Sequence, residues 1–357
     1  MAEVYFVTLK SKLGRNLKDK IKEGMKILLR KKEIIDNGDL VAIKVHFGEW
    51  GNLSFIRPQF VLDIVEIIRE KRGKPFLTDT NTLYKGTRTF APDHLITAIK
   101  NGFGFIETGA PIIIADGIKG HSSKRIKIDG DVVNEAVLAA EIVEADSMVV
   151  LSHFKGHELT GFGGALKNLG MGCAAREGKL FMHSTVSPKI KENLCTGCGR
   201  CISICPADAI YLKNNKAVKE EEKCIGCADC IIACLEGAIS ISWNETAPSV
   251  MKKVAEYAMA VSSTKKKGIL FLNFLMQISP LCDCYGFNDI PVAPDIGVCL
   301  SFDPVAIDQA SIDLVIKSLG GKDPFKRHHN RPAWEVTLEH AEKMGLGSRS
   351  YDLKIIE

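Results

Sequence analysis

Two copies of one cysteine pattern lie near the middle of this 357-residue chain. The first copy runs from Cys195 to Cys205 and the second from Cys224 to Cys234, each with the spacing C-x2-C-x2-C-x3-C. Closely spaced cysteine thiolates are the ligands of iron-sulfur clusters. The glycine and alanine residues between them keep bulky side chains away and let backbone N–H groups approach the cluster sulfurs. The pattern therefore predicts two clusters bound by eight cysteines.

This spacing is typical of a bacterial ferredoxin with two [4Fe-4S] clusters. In such proteins, the last cysteine of each copy reaches the cluster that is bound by the first three cysteines of the other copy. The predicted ligands are Cys195, Cys198, Cys201 and Cys234 for the first cluster, and Cys224, Cys227, Cys230 and Cys205 for the second. We disfavour two structural zinc sites, because these usually combine Cys-x2-Cys pairs from separated hairpins.

A second segment with reactive side chains, residues 153–173, is rich in glycine. It contains neither the Gly-Lys-Ser/Thr of a P-loop nor a complete dinucleotide fingerprint. We predict an anion or carboxylate site, with charge from Lys155 and Lys167 and N–H donors from a helix that begins near Gly163. The predicted catalytic residues are His153, Lys155, His157 and Lys167, and the predicted cofactor-binding residues are Gly163, Gly164 and Asn168. For His153 and His157 we favour polar packing or substrate contact over an additional metal.

Four further cysteines lie outside the repeated pattern. Cys282 and Cys284 form a Cys-x-Cys loop, which would suit a soft metal ion or a redox pair if both side chains projected to one side. Two half-buried cysteines in a turn are the alternative, and the sequence leaves both open. We expect Cys299 in the core, and for Cys173 and His183 we favour a buried structural role over contact with a cluster.

Apolar stretches of strand length alternate with helical patterns on both sides of the cysteine repeat. The predicted strands are residues 4–9, 40–47, 75–80, 112–115, 147–152, 269–274 and 296–302, and the predicted helices lie near residues 16–30, 58–71, 132–142, 248–261 and 304–318. Such apolar strands, separated by amphipathic helices, predict an α/β fold with a mostly parallel sheet that is covered by helices.

Polar residues follow many of these strands, where ligands of parallel sheets gather. They are residues 46–49, Asp79, Asn81, Asp116, residues 153–157, Asn273 and Asp303. Turn formation explains Asp79 and Asn81 as well as ligand binding does. Asp303 precedes Pro304, so it fits a helix N-cap equally well.

Proline-marked joints near residues 187–189 and 244–248 flank the cysteine repeat. They predict an outer α/β domain in two parts, residues 1–188 and 245–357, with an inserted α+β ferredoxin-like domain at residues 189–244.

The composition and charge of the chain bear on its partners and its location in the cell. The net charge of +4 is too small to argue for nucleic acid or an anionic membrane as a partner. No apolar run reaches the length of a bilayer span, and the first residues resemble a strand and not a secretion signal. Twelve cysteines that serve mainly as cluster ligands predict a cytoplasmic protein of an anaerobe. The lysine triplet at 265–267 is expected on the solvated surface.

The chain resembles the domain of unknown function 362 family over nearly its full length. The matching motifs are residues 45–49, 79–81, 153–157, 163–172 and 303–308, of which 163–172 is the most specific. In its iron-sulfur subset, a two-cluster ferredoxin is likewise inserted in the second half. The resemblance implies a redox protein and leaves the substrate open.

Together these observations predict an oxidoreductase in which the ferredoxin-type region relays low-potential electrons to a substrate or metal site in the outer domain. The expected partner is a redox protein or a small-molecule substrate. Two alternatives are a non-enzymatic electron-transfer subunit, and a metal or sulfur carrier or maturation protein that uses Cys282 and Cys284.

Overall fold

The computed structural model describes residues 1–184, 188–241, 245–329 and 333–357. The strands are β1 (Ala2–Thr8), β2 (Leu40–Val45), β3 (Lys74–Asp79), β4 (Ile112–Ile114), β5 (Ser123–Lys127), β6 (Glu135–Ala139), β7 (Ser147–His153), β8 (Lys155–His157), β9 (Gly161–Gly163), β10 (Lys189–Ile190), β11 (Ile210–Lys213), β12 (Lys216–Lys219), β13 (Ile239–Ser240), β14 (Ile269–Leu275), β15 (Gly297–Ser301) and β16 (Tyr351–Ile356).

The α-helices are α1 (Leu17–Lys31), α2 (Pro58–Glu70), α3 (Ala91–Ala98), α4 (Phe105–Thr108), α5 (Ala140–Glu144), α6 (Ala165–Gly170), α7 (Arg176–His183), α8 (Arg200–Ser203), α9 (Asp229–Ala233), α10 (Ala247–Ser263), α11 (Pro304–Ser318), α12 (Pro324–His328) and α13 (Glu335–Lys343). A π-type turn spans Ile99–Phe103, and 3-10 turns span Glu192–Leu194 and Glu221–Lys223. None of the helices in the described part of the chain has the length and apolar character needed to cross a membrane.

The central sheet has eight strands in the order β16-β1-β15-β14-β7-β2-β3-β4. Neighbouring strands are parallel, except that β15 is antiparallel to both β1 and β14. The predicted α/β fold with a mostly parallel sheet is therefore confirmed. Because all these strands except β15 run in one direction, their carboxyl ends meet at one edge, which we call the carboxyl edge.

Strand β7 shows how the sheet separates two hydrophobic cores. Met148 and Val150 face one core, which also holds residues of α6, α10 and α11, whereas Val149 and Leu151 face the other core with α1 and α2. Successive side chains of a strand point to opposite faces, and here both faces are covered, so the strand is apolar throughout its middle. Each fully buried aliphatic side chain contributes about 1.5–3 kcal/mol to folding.

Helix α11 shows why one strand end lies away from the others. Asp303 caps this helix by accepting hydrogen bonds from the backbone N–H groups of Val305 and Ala306, and Pro304 opens its first turn. The N-cap interpretation of Asp303 is thus confirmed. Since β15 is antiparallel to its neighbours, Asp303 leaves the sheet at the edge opposite to the carboxyl edge.

Two local predictions are wrong. The helix expected at 132–142 is instead strand β6 followed by the short helix α5. A short, alanine-rich apolar run is compatible with either structure, and here pairing with β5 provides the hydrogen bonds of a strand. Lys265 of the expected surface triplet is buried, and its ammonium donates to the carbonyl oxygens of Ile142, Val143 and Ala145.

Residues 188–241, called the cysteine-rich segment below, form small two-stranded sheets from β10 with β13 and from β11 with β12. They have a hydrophobic cluster of their own, to which Leu83 and Leu180 from the rest of the chain also belong. Ser187 and Asn244, at the predicted joints, lie outside the described residues. The domain boundaries at 188/189 and 244/245 stay a prediction.

Candidate functional site

The cysteines of the repeated pattern lie around two small cavities in the cysteine-rich segment. Cys195, Cys198, Cys201 and Cys234 border one cavity, and Cys205, Cys224, Cys227 and Cys230 border the other. The two cavities have similar volumes of about 20 Å³ each. Each cavity brings together the four cysteines that the sequence predicts to share one cluster.

Backbone N–H groups donate hydrogen bonds to several of these sulfurs. The bonds run from Ala217 to Cys195 Sγ (3.3 Å), from Ala209 to Cys205 Sγ (3.3 Å) and from Ala238 to Cys234 Sγ (3.2 Å). In each case the donor belongs to, or immediately precedes, a short strand next to the cavity. Hydrogen bonds of this kind stabilise negative charge on cluster sulfurs.

The turns between the cysteines use left-handed backbone conformations, with φ of 72° at Gly197, 74° at Gly199 and 71° at Gly226. A Cβ atom at Gly197 would lie 2.4 Å from the backbone oxygen of Asn215, so only glycine fits there. Ala228, with φ of 64°, takes the place in the second copy that Gly199 takes in the first. The small residues of the repeat therefore serve its backbone geometry.

In the part of the chain that the structure describes, no three sulfur atoms of the repeat all lie within 4.8 Å of one another. A tetrahedral zinc site with Zn–S distances of about 2.3 Å would place its sulfurs about 3.8 Å apart. Among the described residues, the group of three ligand-type side chains whose ligand atoms all lie within 4.8 Å of one another is His121, Cys227 and Asp229. It includes only one of the repeat cysteines, and its Asp229 carboxylate already accepts a hydrogen bond from Arg176 at 2.9 Å.

A much larger cavity, of about 800 Å³, opens at the carboxyl edge of the sheet. We call it the carboxyl-edge cavity. All predicted catalytic and cofactor-binding residues of the glycine-rich segment line it: His153, Lys155, His157, Gly163, Gly164, Lys167 and Asn168. Cys282 and Cys284 line it as well, together with Lys44, His46, Glu49, Asp79, Arg88, Lys179 and His183. Its volume suits a small-molecule ligand.

The glycine-rich segment is a β-hairpin and not a helix at its start. Strands β8 and β9 pair antiparallel, so Lys155 and His157 alternate with Gly156 and share one side. A Cβ atom at Gly156 would lie 2.2 Å from the carbonyl oxygen of Pro280, so glycine lets the hairpin pack closely on the loop that carries the Cys-x-Cys motif. His153 and His157 therefore do not pair on one helical face.

The expected anion-binding N–H groups near Gly163 are already used. The backbone N–H groups of Ala165 and Leu166, at the start of α6, donate to the buried carboxylate of Asp308 at 2.7 and 3.0 Å. Burial raises the pKa of Asp308 to about 6, although these N–H donors and Asn273 oppose the shift. These N–H groups are therefore not free for a ligand, because the Asp308 side chain from α11 occupies them, and the predicted anion site has to rely on the lysines. Asp308 also explains Gly164, whose Cβ would lie 2.3 Å from the Asp308 carboxylate.

His157 has a defined tautomer. Its Nδ1 accepts hydrogen bonds from the backbone N–H groups of Leu159 (3.2 Å) and Thr160 (3.3 Å), so the ring proton sits on Nε2. The ring also hydrogen bonds with the thiol of Cys282. Burial, with help from the nearby Lys167 charge, lowers the pKa of His157. It is therefore a neutral ring beside the sulfur, with its proton on Nε2.

His153 is bonded on both sides. Its Nδ1 lies 2.9 Å from both carboxylate oxygens of Asp283, and its Nε2 lies 3.0 Å from the carbonyl of Met276. Both ring nitrogens therefore face hydrogen-bond acceptors. Lys155 Nζ lies 3.4 Å from the same carboxylate. This arrangement gives His153 a positioning role for the loop that contains Asp283.

Buried ion pairs form another wall of the cavity. Asp79 pairs with Lys44 at 2.9 Å, and Arg88 lies 3.5 Å from Asp79 and 3.3 Å from Glu49. Burial alone would raise the pKa of Asp79, but the surrounding cations, led by Lys44, hold it well below its usual range. Asn168 accepts from Lys44 at 2.8 Å and so belongs to this network. These charges compensate one another.

The positive charges of two other lysines of the cavity are less fully neutralised by nearby carboxylates. Lys167 Nζ has no hydrogen bond or ion pair with any residue in the described ranges. Lys179 donates to Thr80 Oγ1 at 2.6 Å and to the carbonyl of Asn81 at 2.5 Å, and burial lowers its pKa to about 8. Sequence reasoning missed Lys179, because a lysine on an amphipathic helix carries no signal of its burial.

One family matches the chain over residues 41–313, and its description is domain of unknown function (DUF362). The chain belongs to DUF362. No curated protein matches this DUF362 chain.

Two solved structures match the chain at low similarity. The lactate racemase apoprotein from Thermoanaerobacterium thermosaccharolyticum matches 77% of the chain at 14% identity and a TM-score of 0.38. A protein from Thermotoga maritima matches 92% at 11% identity and a TM-score of 0.40. The DUF362 chain spans only 51% and 59% of these two proteins.

One loop of this DUF362 protein, residues 82–89, connects the carboxyl-edge cavity with the cysteine-rich segment. Leu83 lines the cavity and belongs to the hydrophobic cluster of the segment. Lys85 also lines the cavity, and its Nζ lies 2.5 Å from the carbonyl oxygen of Cys234. A cysteine of the first set is therefore one hydrogen bond away from a wall of the cavity.

Buried Arg176 fixes this loop against the second set of cysteines. Its guanidinium donates to the carbonyl oxygens of Thr82 and Thr89, at the two ends of the loop, and to Asp229 at 2.9 Å. His121 hydrogen bonds with the same carboxylate at 2.9 Å. Because Asp229 lies two residues after Cys227, these contacts hold the cysteine-rich segment in a defined place beside the cavity.

Proposed function

We propose that this protein is an iron-sulfur oxidoreductase of the ferredoxin-containing subset of DUF362. The cysteine-rich segment would hold two [4Fe-4S] clusters and relay low-potential electrons to a substrate in the carboxyl-edge cavity. The observation that carries the proposal is the placement of two four-cysteine cavities beside a large cavity lined by ionisable side chains, joined to it by one loop.

The residues present fit cubane clusters. Four cysteines border each cavity, small residues occupy the turns between them, and backbone N–H groups donate to sulfur. The repeated spacing of the cysteines favours a polynuclear cluster over a zinc ion. When bound, the clusters supply one electron at a time at low potential. Cys198 is exposed, so the first cluster would lie close to a surface where a redox partner protein could dock.

The cavity favours a small anionic substrate. Lys167 lacks a partner among the described residues, and Lys179 is buried with a pKa of about 8, so both can offer charge to a carboxylate or a similar group. A lysine with a pKa near neutrality can also exchange a proton with a bound substrate. The Lys44 and Arg88 pairs would hold the wall rigid and keep its field fixed.

A purely electron-carrying subunit is less well supported, because docking to a larger reductase does not require a cavity of about 800 Å³ lined by ionisable groups. Free thiols and oxygen-sensitive clusters also favour a reducing compartment such as the cytoplasm.

The decisive experiment is iron and acid-labile sulfide analysis with EPR spectroscopy on the full chain, purified without oxygen. Two [4Fe-4S] clusters predict about eight irons per chain and two magnetically interacting reduced centres. Zinc in place of iron, or a chain that cannot be loaded with iron and sulfide by reconstitution, would overturn the proposal.

A further inference from the structure

The loop that carries Cys282 and Cys284 is held on three sides. The Asp283 carboxylate between the two cysteines accepts from His153, and its backbone oxygen accepts from the N–H group of Glu49 at 3.0 Å. Tyr84 donates from its hydroxyl to the carbonyl oxygen of Cys284 at 3.2 Å. With Asp283 fixed inside the protein, both cysteines face the carboxyl-edge cavity.

The two thiols contact each other and differ in their surroundings. Cys282 hydrogen bonds with Cys284 and with His157, and Lys167 is close to it. The hydrogen bond from Cys284, followed by the Lys167 charge and the His157 bond, holds the pKa of Cys282 well below its usual range even though burial opposes this. The same contact raises the pKa of Cys284. A thiolate beside a thiol is the arrangement from which a disulfide forms and to which it returns.

We propose that Cys282 and Cys284 are a redox-active dithiol that accepts the electrons delivered to the cavity. The inference rests on the proposed function, which supplies the one-electron donors. In the reducing direction, the Cys282–Cys284 disulfide would take up one proton from cavity water and two electrons, which the two reduced clusters would supply. The S–S bond would break, which leaves a thiolate on Cys282 and a thiol on Cys284.

A bound metal ion is the weaker interpretation of this pair. Within the described ranges, no three histidine, cysteine or acidic side chains of this cavity bring their ligand atoms within 4.8 Å of one another. The cations Lys155 and Lys167 lie next to the thiols, where they stabilise a thiolate and repel a metal cation. The turn that joins Cys282 O to the N–H of Tyr285 at 3.1 Å keeps the two cysteines close, as a disulfide requires.

The pair would connect one-electron donors to a two-electron reaction. Each cluster carries a single electron, whereas most reductions of organic substrates need two. A dithiol collects both before it meets the substrate. This assigns to the cavity an anionic substrate that accepts an electron pair.

The test uses anaerobic wild-type protein whose two clusters have been verified by iron analysis and EPR. The thiol oxidant diamide is added, the protein is denatured, and free thiols are alkylated and located by mass spectrometry. The expected product is an intramolecular disulfide in the peptide with Cys282 and Cys284. Cys173 and Cys299, both buried with pKa values raised to about 12, are internal controls that should remain thiols.

Photoreduced deazaflavin, a one-electron donor, is then added to the oxidised protein. Both cysteines should become alkylatable again, while a Cys201→Ser/Cys230→Ser variant that has lost its clusters should keep the disulfide. The inference is overturned if diamide leaves both cysteines free, or if the clusters are reduced and the disulfide persists. Neither of these results would change the iron content of the protein, so they would contradict the dithiol inference alone. A chain without iron would contradict the proposed function and would leave the diamide result unaffected.

Discussion

The two places where cysteines gather in this protein are built in opposite ways. In the cysteine-rich segment, backbone N–H groups of neighbouring residues donate to the sulfurs, and the nearby lysines Lys85 and Lys216 bind carbonyl oxygens. At the carboxyl-edge cavity, the sulfur of Cys282 meets side chains from distant segments, His157 and Lys167.

The difference follows from what each site would hold. A cluster spreads its charge over many atoms, so several weak backbone donors and the absence of bulky side chains suit it. A thiolate concentrates charge on one atom, so a directed N–H group and a nearby ammonium stabilise it best. The first site is therefore local in the chain, and the second exists only when the whole sheet has folded.

The largest expected effect is on iron content, which should fall when the cysteine-rich segment is changed and stay constant when the cavity cysteines are changed. Cys201→Ser removes a buried member of the first set and should cost at least one cluster, about four irons of about eight. Cys282→Ser/Cys284→Ser should leave the iron and sulfide content unchanged. Iron analysis and EPR of the anaerobic variants check this. Loss of metal from the double variant would mean that the cavity is itself a metal centre. The distinction between a cluster site and a metal-free thiol site would then be wrong.

The next effect concerns the charge of the cavity. Lys167→Met should lower turnover of small carboxylates by about 10-fold to 150-fold, since a hydrogen bond to a charged group contributes about 1.5–3 kcal/mol. Oxidation of reduced viologen by a panel of carboxylates measures it, with EPR to verify intact clusters. Lys322→Met, at an exposed position, is the matched control. Equal rates in both variants would remove Lys167 from the site.

A third effect tests how the thiol loop is positioned. Gly156→Ala places a methyl group against the carbonyl oxygen of Pro280 and should lower the free energy of unfolding by about 1–3 kcal/mol. Gly163→Ala, in the paired strand of the same hairpin, meets its nearest neighbour at an ordinary 3.4 Å and should change little. Denaturant unfolding of both variants decides. Similar stabilities would show that the hairpin does not press on the loop.

The repeated cysteines could be predicted because their chemistry depends on spacing within short stretches of chain. The same holds for most strands, such as β7, whose continuous apolar run requires cover on both faces. The reversed direction of β15 could not be predicted, because it depends on which neighbours the strand pairs with. For this reason Asp303 was expected at the site and lies at the opposite edge.

The cavity itself was only partly predictable. The polar ends of β2, β3 and β7 indicated where it would lie, since the carboxyl ends of parallel strands collect ligands. No sequence pattern indicated that Lys179 is buried or that Asp308 would occupy the N–H groups at the start of α6. The sequence also left open whether Cys282 reaches His157, because 125 positions of chain separate residues that the hairpin and loop bring together.

The smallest effect concerns the acidity of Cys282. His157→Gln removes the imidazole N–H beside the sulfur, which is one of several groups that hold the thiol pKa down. Because that bond favours the thiolate, its loss should raise the pH midpoint of Cys282 alkylation by about one unit, equivalent to about 1.4 kcal/mol. Stopped-flow alkylation between pH 4 and 9, with His328→Gln at an exposed position as the control, measures the shift. If the midpoint moves in neither variant, Cys284 and Lys167 account for the low pKa of Cys282 without His157. The contrast between a cluster site built locally and a thiol site built from distant side chains would then be weaker than stated above.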